Sequence, residues 1–340
     1  MKPCIVYLAQ NTCRDVQYGR DSRSLLERSL DLLFLNYNNR FGHDVLIFHE
    51  GDFSSKDQAD VAKERPNVFF KEVHFEVPSF LPRHEIPEVW TDGRGSSFGM
   101  GHRHMCDFYA YRIFRILLDL GYDWMMRMDD DSFLHDTIDY DLFEFMQEHG
   151  YRYGYRVDIL ESRQSSMGFA EAAHAYLKVA NVDSTNLQRS RITPWREGLV
   201  AMEAVMRWAG NKLGIPIKTL FPSALRVHPY WCYYNNFFVT DLRFWAQPEV
   251  ESFLQFIRRT GGTYKHRWND LIIQAAAVQI FMPRHQIHKF DDWTYEHAST
   301  KNGALIFGGI YPGDGKLKSR AVEDFRSSYG KLKTPLVWSK

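Results

Sequence analysis

The chain has 340 residues and a mass of 40.0 kDa, with 44% hydrophobic and 25% charged residues. That is the composition of a globular protein with enough apolar mass for one large α/β domain or two modest ones. Lys plus Arg and Asp plus Glu both total 42, so the net charge is zero and the global basic field of a general nucleic-acid binder is missing.

CIVYLAQ at 4–10 reads as a buried strand, and LLERSLDLLFLNYNNRFG at 25–42 has the apolar spacing of a helix ended by Gly42. DVLIFHE at 44–50 is a second strand. This β-α-β opening predicts a parallel sheet. VFFKEVHFEV at 68–77 is a third strand candidate, followed by a Pro-, Gly- and Ser-rich loop over 78–97. HMCDFYAYRIFRILLDLG at 104–121 is an amphipathic helix capped by Gly121, and YDWMMRM at 122–128 is a central strand running into Asp129-Asp130-Asp131. DLFEFMQEHG at 141–150 is a short helix and YRYGYRV at 151–157 a strand. Residues 161–225 read as mostly helical, with an irregular centre near 181–191. Strand character returns in WCYYNNFFVT at 231–240. Two helices, 248–259 and 269–281, are parted by Gly261-Gly262, and strand and loop follow from Pro283. There is no internal repeat. The reading is a single domain over 1–340, with 161–225 as a helical elaboration and 298–340 as a C-terminal extension.

Residues 1–10 carry only a short apolar run followed by polar residues, so neither a signal peptide nor an anchor is expected there. No stretch approaches the roughly 20 apolar residues of a membrane span. Cys4, Cys13, Cys106 and Cys232 match no zinc spacing and no CxxC motif; one bridge remains open. Aromatics reach 15%, which suits either a Tyr-rich core or a sugar-binding cleft. No P-loop occurs, and no basic stripe interleaves with the aromatics.

The acidic triplet carries the most chemistry. In open parallel sheets, ligands bind beyond the carboxyl ends of strands, and here three carboxylates stand at such an end. Alternation along an extended segment would put Asp129 and Asp131 on one face, about 7 Å apart, with Asp130 turned away. Two carboxylates on one face suit a hard divalent cation, Mn²⁺ or Mg²⁺, completed by phosphate oxygens. Such an ion makes a bridged pyrophosphate a better leaving group. A solvated charge cluster is the alternative.

The blocks MGHRHMCDFY (100–109), YDWMMRMDDDSF (122–133), YRYGY (151–155), CYYNNFFVTD (232–241), YKHRWNDLIIQAAAVQIFMP (264–283) and IHKFDDWTYEH (287–297) resemble, in order, the fungal-type Golgi α-1,2-mannosyltransferases, glycosyltransferase family fifteen. The resemblance implies a GT-A fold, a Rossmann-like mixed sheet flanked by helices. It also implies retaining transfer of mannose from GDP-mannose, with Mn²⁺ (or Mg²⁺), to an oligosaccharide or glycoprotein acceptor in the Golgi lumen. The start of this chain shows no Golgi anchor, which leaves a cytoplasmic site open.

Carried over by position, the metal ligands are Asp129, Asp131 and His297, with His288 as the other candidate histidine. Asp129-Asp130-Asp131 replaces the family's Glu-Pro-Asp, and Arg127 matches the Arg two positions before it. Asp270 of RWND matches the Asp of RWGD and, with Asn236, is placed in catalysis; as the first residue of a helix it also reads as an N-cap. Arg267 and Trp268 border the same cleft. Donor contacts fall on Tyr7, Leu8, Ala9, Arg28, His102 and Asp129, with Arg20 beside them. Tyr155 and Trp231 are acceptor-cleft candidates. Two departures stand out: Phe238 where the family has a Glu proposed as nucleophile, and His102 where it usually has Tyr. They leave two alternatives open, a different nucleotide-sugar donor such as a UDP-sugar and a carbohydrate-binding descendant without catalysis. Without the Glu, acceptor attack from the face of the departing phosphate is the favoured route.

Overall fold

The computed structural model describes residues 1–11, 24–91, 97–161, 166–182, 231–301 and 304–313. Its first unit is the β-α-β opening: β1 (Pro3–Leu8), α1 (Leu25–Leu33) and β2 (Asp44–His49), with β1 and β2 parallel. Ser24 and Glu27 form a reciprocal capping box that starts α1. The helical path continues past α1 as a π-type segment, Phe34–Asn38, and ends at Gly42, whose φ of 67° supplies the left-handed stop. Next come α2 (Ser55–Ala62) and β3 (Val68–Glu72), the latter shorter than its sequence run because residues 73–77 leave the ladder.

A two-residue pair, β4 (Trp90–Thr91) with β5 (Ser97–Phe98), precedes α3 (Met100–Asp107). A π-type turn, Phe108–Arg112, joins α3 to α4 (Ile113–Asp119), so the predicted helix begins four residues earlier than its apolar spacing suggested. The chain then enters β6 (Trp124–Met128), every residue of which is buried. Further on lie β7 (Ser132–Leu134), α5 (Leu142–Glu148), β8 (Tyr153–Tyr155), β9 (Asp158–Leu160) and α6 (Phe169–Val179). Helix α6 lies in the region read as a helical elaboration; residues 183–230 of that region lie outside the described residues.

The predicted strand 231–240 is two strands, β10 (Trp231–Tyr233) and β11 (Phe237–Asp241), in different sheets. The polar Asn235-Asn236 pair breaks the run between them. The remaining elements are α7 (Leu242–Trp245), α8 (Pro248–Thr260), α9 (Asp270–Phe281), β12 (Ile287–Lys289), β13 (Tyr295–Lys301) and β14 (Ala304–Tyr311).

The main sheet has the order β12-β8-β11-β6-β1-β2-β3. Strands β6, β1, β2 and β3 run parallel, and β11 is antiparallel to both of its neighbours. A second sheet, β14-β13-β7, is antiparallel. Strands β6 and β7 therefore belong to different sheets, and only the acidic triplet joins them. This is the α/β mixed sheet flanked by helices that the GT-A reading called for.

Helix α9 is apolar on all sides and buried from Asp270 to Ile280, as a central helix must be. Gly262 lets it seat: a Cβ there would lie 2.1 Å from the Trp268 ring. Cys4 and Cys106 are buried free thiols, and Cys232 is buried. Among the described residues no helix is long and apolar enough to cross a membrane.

Candidate metal centre and active site

The acidic triplet is a tight turn rather than the extended segment expected from the sequence. The Ser132 amide donates to the Asp129 carbonyl at 3.0 Å, closing a four-residue turn as the chain leaves one sheet for the other. Ser132 fastens that turn. Its hydroxyl meets Tyr295 Oη at 2.7 Å, and its carbonyl accepts from Ser29 Oγ at 2.6 Å. Ser29 in turn contacts the Tyr7 hydroxyl at 3.0 Å.

Strand pairing brings in the third ligand. The register of β13 on β7 sets His297 opposite Ser132, so a residue far along the chain arrives beside the turn. One ligand atom each from Asp129, Asp131 and His297 lies within 4.8 Å of the others. Ligands opposite each other on a cation with 2.0–2.1 Å bonds are about 4.2 Å apart, so small side-chain movements close the set. His297 Nε2 is 3.1 Å from Asp131 Oδ1, and its Nδ1 is 3.1 Å from the Tyr234 hydroxyl, which orients the ring. Two carboxylates and an imidazole fit Mn²⁺, and fit Mg²⁺ less well because of the nitrogen.

The electrostatics suit a cation at this turn. Burial raises the Asp129 pKa, against the pull of Arg127. Burial, then repulsion from Asp131 and Asp129, pushes Asp130 up to about 8. Burial opposes charge on His297 too, but Asp131 outweighs it and holds the imidazole pKa above its ordinary value. A divalent ion would relieve this crowding of negative charge.

Behind the triad lies a second carboxylate, reached through Arg127. This buried arginine donates from Nε to Asp129 Oδ1 at 2.8 Å and from Nη1 to Asp270 Oδ2. Its guanidinium lies 3.6 Å from the centroid of the Tyr109 ring, which the π-type turn presents. Burial alone would depress its pKa, yet Asp129 and Asp270 hold it well above the ordinary arginine value. Asp270 also accepts from Asn235 Nδ2 at 2.7 Å, and Asn235 reaches Gln274 Oε1 at 3.0 Å. Asn269, not Asp270, caps α9, accepting from the Ile272 amide at 3.1 Å. Asp270 is thus left for the arginine.

Other sequence-based assignments fall out as follows. Asn236 accepts from the Asp129 amide at 3.2 Å through its carbonyl. Both polar atoms of its buried side chain lack a partner among the described residues. An unmet buried polar group costs about 1–3 kcal/mol, which a ligand at the turn would recover. Tyr7 is wholly buried and Ala9 nearly so, so these side chains belong to the core, and only half-buried Leu8 has side-chain surface there. Arg28 sits in the first turn of α1, half-buried. His102, half-buried, lies near Asp270 and Arg267; burial, then the Arg267 charge, lowers its pKa to about 4. His288 is not part of the triad. It packs on Phe145, Tyr151 and Phe290 at the β12 edge, and burial lowers its pKa. Phe238 is fully buried, stacked on Tyr153 at 5.5 Å, and opposite Arg127 in the ladder. Tyr155 is its other cross-strand neighbour, on β8, and is half-buried. Arg20 and the Trp231 side chain lie outside the described residues.

Sequence reasoning missed Tyr234, Asn235 and Glu161. Glu161, just past β9, accepts from Asn269 Nδ2. Like Asp129 it is a carboxylate just beyond a strand end, and that signal was available.

A family profile described as glycolipid 2-alpha-mannosyltransferase matches residues 16–306. The glycolipid 2-alpha-mannosyltransferase of Saccharomyces cerevisiae is 24% identical over 89% of this chain and 62% of its own length. Glycolipid 2-alpha-mannosyltransferase 2 of Candida albicans is 23% identical over 77% of this chain and 53% of its own. The chain thus spans little more than half of each. Among solved structures, core-mannan synthase A from Aspergillus fumigatus in its Mn/GDP form has a TM-score of 0.66 at 14% identity, covering 97% of this chain and 85% of that one. The mannosyltransferase Ktr4p of S. cerevisiae has a TM-score of 0.66 at 18% identity, covering 87% and 70%.

Proposed function

This chain belongs to the glycolipid 2-alpha-mannosyltransferase family, and from that premise we propose that it transfers mannose from GDP-mannose, with retention, onto a hydroxyl of a glycan or glycoprotein acceptor. The observation that carries the reading is the convergence of Asp129, Asp131 and His297 at the turn between β6 and β7. A Mn²⁺ held there would bind the donor diphosphate and neutralise charge developing on its leaving oxygen.

The protein's own groups do the rest. Arg127 fixes Asp129 and Asp270 to one another, so the metal end and the sugar end of the cleft keep one geometry. Asp270, anchored by Arg127 and Asn235, supplies a carboxylate for the donor sugar or the incoming hydroxyl. Asn236 offers a buried amide with open donor and acceptor positions next to Asp129. Phe238 brings no nucleophile, which favours direct attack by the acceptor on the face the phosphate leaves, its proton passing to a phosphate oxygen or to Asp270.

Purified protein should turn over GDP-mannose in Mn²⁺, and turnover should stop with a chelator. Turnover indifferent to chelation would reject the reading. A nucleotide panel tests the second reading: stabilisation by UDP-sugars and not by GDP-mannose would move the donor assignment, for which the replacement of tyrosine by His102 is the motive.

A further inference from the structure

Three residues before Asp270 stands a cation without an ion pair among the described residues, Arg267. Arg267 has no hydrogen bond and no ion pair among the described residues, and its Nε is buried without a partner. Its guanidinium lies 3.7 Å from the centroid of Phe98 and 5.9 Å from that of Trp90. Stacking of that kind uses the faces of the guanidinium and leaves its in-plane N–H donors unspent. The backbone of Arg267 is held at φ 57°, a left-handed conformation uncommon for a residue with a Cβ. Strain of this kind persists where the surroundings impose it, and it clusters at ligand sites. Asp270, three residues on, is occupied by Arg127 and Asn235.

The surroundings are open and apolar. Trp90, Phe98, His102 and Arg267 are all half-buried. His102 packs on Phe98 at 4.8 Å. A side chain at Gly99 or Gly101 would meet nothing within 4 Å, so free space borders the cluster. The cluster therefore combines aromatic rings with a fork of charged donors, a pairing suited to an oxyanion carried on a sugar.

The geometry points to an acceptor subsite at Arg267, flanked by Phe98 and Trp90, that takes a sugar bearing a phosphoryl or carboxylate group. It rests on the reading of the adjacent cleft as a glycosyltransferase site. His102 lies near both Arg267 and Asp270, which sets the subsite beside the carboxylate read as serving the sugar or the acceptor, while the diphosphate is read at the triad.

The test uses the full chain saturated with Mn²⁺ and GDP, so that an added phosphate cannot take the metal. Binding of mannose 6-phosphate and of methyl α-mannoside is measured by calorimetry for wild type, Arg267→Ala and Arg267→Lys. The phosphate sugar should bind wild type at least about tenfold more tightly (a preference of the size one charge-assisted contact confers). R267A should lose that preference, R267K should keep part of it, and GDP affinity should stay within about twofold. Equal binding of the phosphate sugar to wild type and R267A would overturn the subsite. A tenfold loss of GDP affinity in R267A, with the mannose 6-phosphate preference intact, would overturn it too, because the oxyanion would then be the donor's. Should R267A not fold, R267K and Arg267→Gln carry the same comparison. Failure of the transferase reading itself would show separately, as wild type that binds no GDP in Mn²⁺.

Discussion

Two clusters in this molecule carry opposite surplus charge. At the β6–β7 turn three neighbouring carboxylates crowd together, and burial with mutual repulsion lifts two of their pKa values. At the Phe98 corner the Arg267 guanidinium has no ion pair among the described residues. Between them Arg127 is paired with both Asp129 and Asp270. A protein that only needed to fold would not leave surplus charge of both signs so near a buried pair; each end is arranged for something that arrives from outside. The centre ties the two parts together through Arg127, while the charge left over on either side is open to ligands.

That contrast can be broken at the centre first. Arg127→Ala would leave Asp129 and Asp270 without their cation and should cost about 3–5 kcal/mol in denaturant unfolding, with turnover lost. A stability change under about 1 kcal/mol would show that the centre is not structural. Asp131→Ala should do the reverse: turnover falls about 10³-fold, the size expected when several kcal/mol of charge neutralisation are removed. Its metal-free stability should hold or rise as repulsion is relieved, and thermal melts with and without Mn²⁺ separate the two effects.

Acidity sharpens the comparison next. A metal ligand must be unprotonated, and the pKa of His297 is raised above its ordinary value. Protons should therefore compete for the imidazole already near neutrality. Mn²⁺ affinity should fall as pH drops through that raised value, by up to about tenfold per unit for each proton displaced. Burial holds His102 neutral down to about 4, so its packing on Phe98 beside Arg267 should not change over the same range. The smallest effect is expected at Phe238. Phe238→Leu should cost about 1 kcal/mol in packing and leave turnover within a few-fold, because no nucleophile is being removed. A large loss of turnover at unchanged stability would give this ring a catalytic part.

Much of this layout was readable from residues alone. The apolar runs of β1, β2, β6 and α9 and the periodicity of α1 are strong local signals, because burial on both faces of a sheet or all round a helix leaves little choice. The triad was legible in its members but not in its geometry. Asp129 and Asp131 announced themselves at a strand end, whereas their convergence depends on a turn closed by Ser132 and on the β13–β7 register, both set by long-range pairing. Asp270 read as a cap because carboxylates favour helix starts. Asn269 takes that place, and Asp270 pairs with Arg127 instead. Residues 231–240 looked like one strand because hydropathy does not reveal which sheet a strand joins. Tyr7 and Ala9 were assigned to the donor by position, and burial claimed their side chains.

The ion itself remains the most direct test. Electron paramagnetic resonance of free Mn²⁺, titrated against the protein with GDP, gives the affinity of the site without any turnover. One ion per chain should bind wild type, and His297→Ala, which removes one of the three ligands, should weaken it by at least about tenfold. Equal Mn²⁺ affinity in wild type and H297A would contradict the assignment of the metal to this turn.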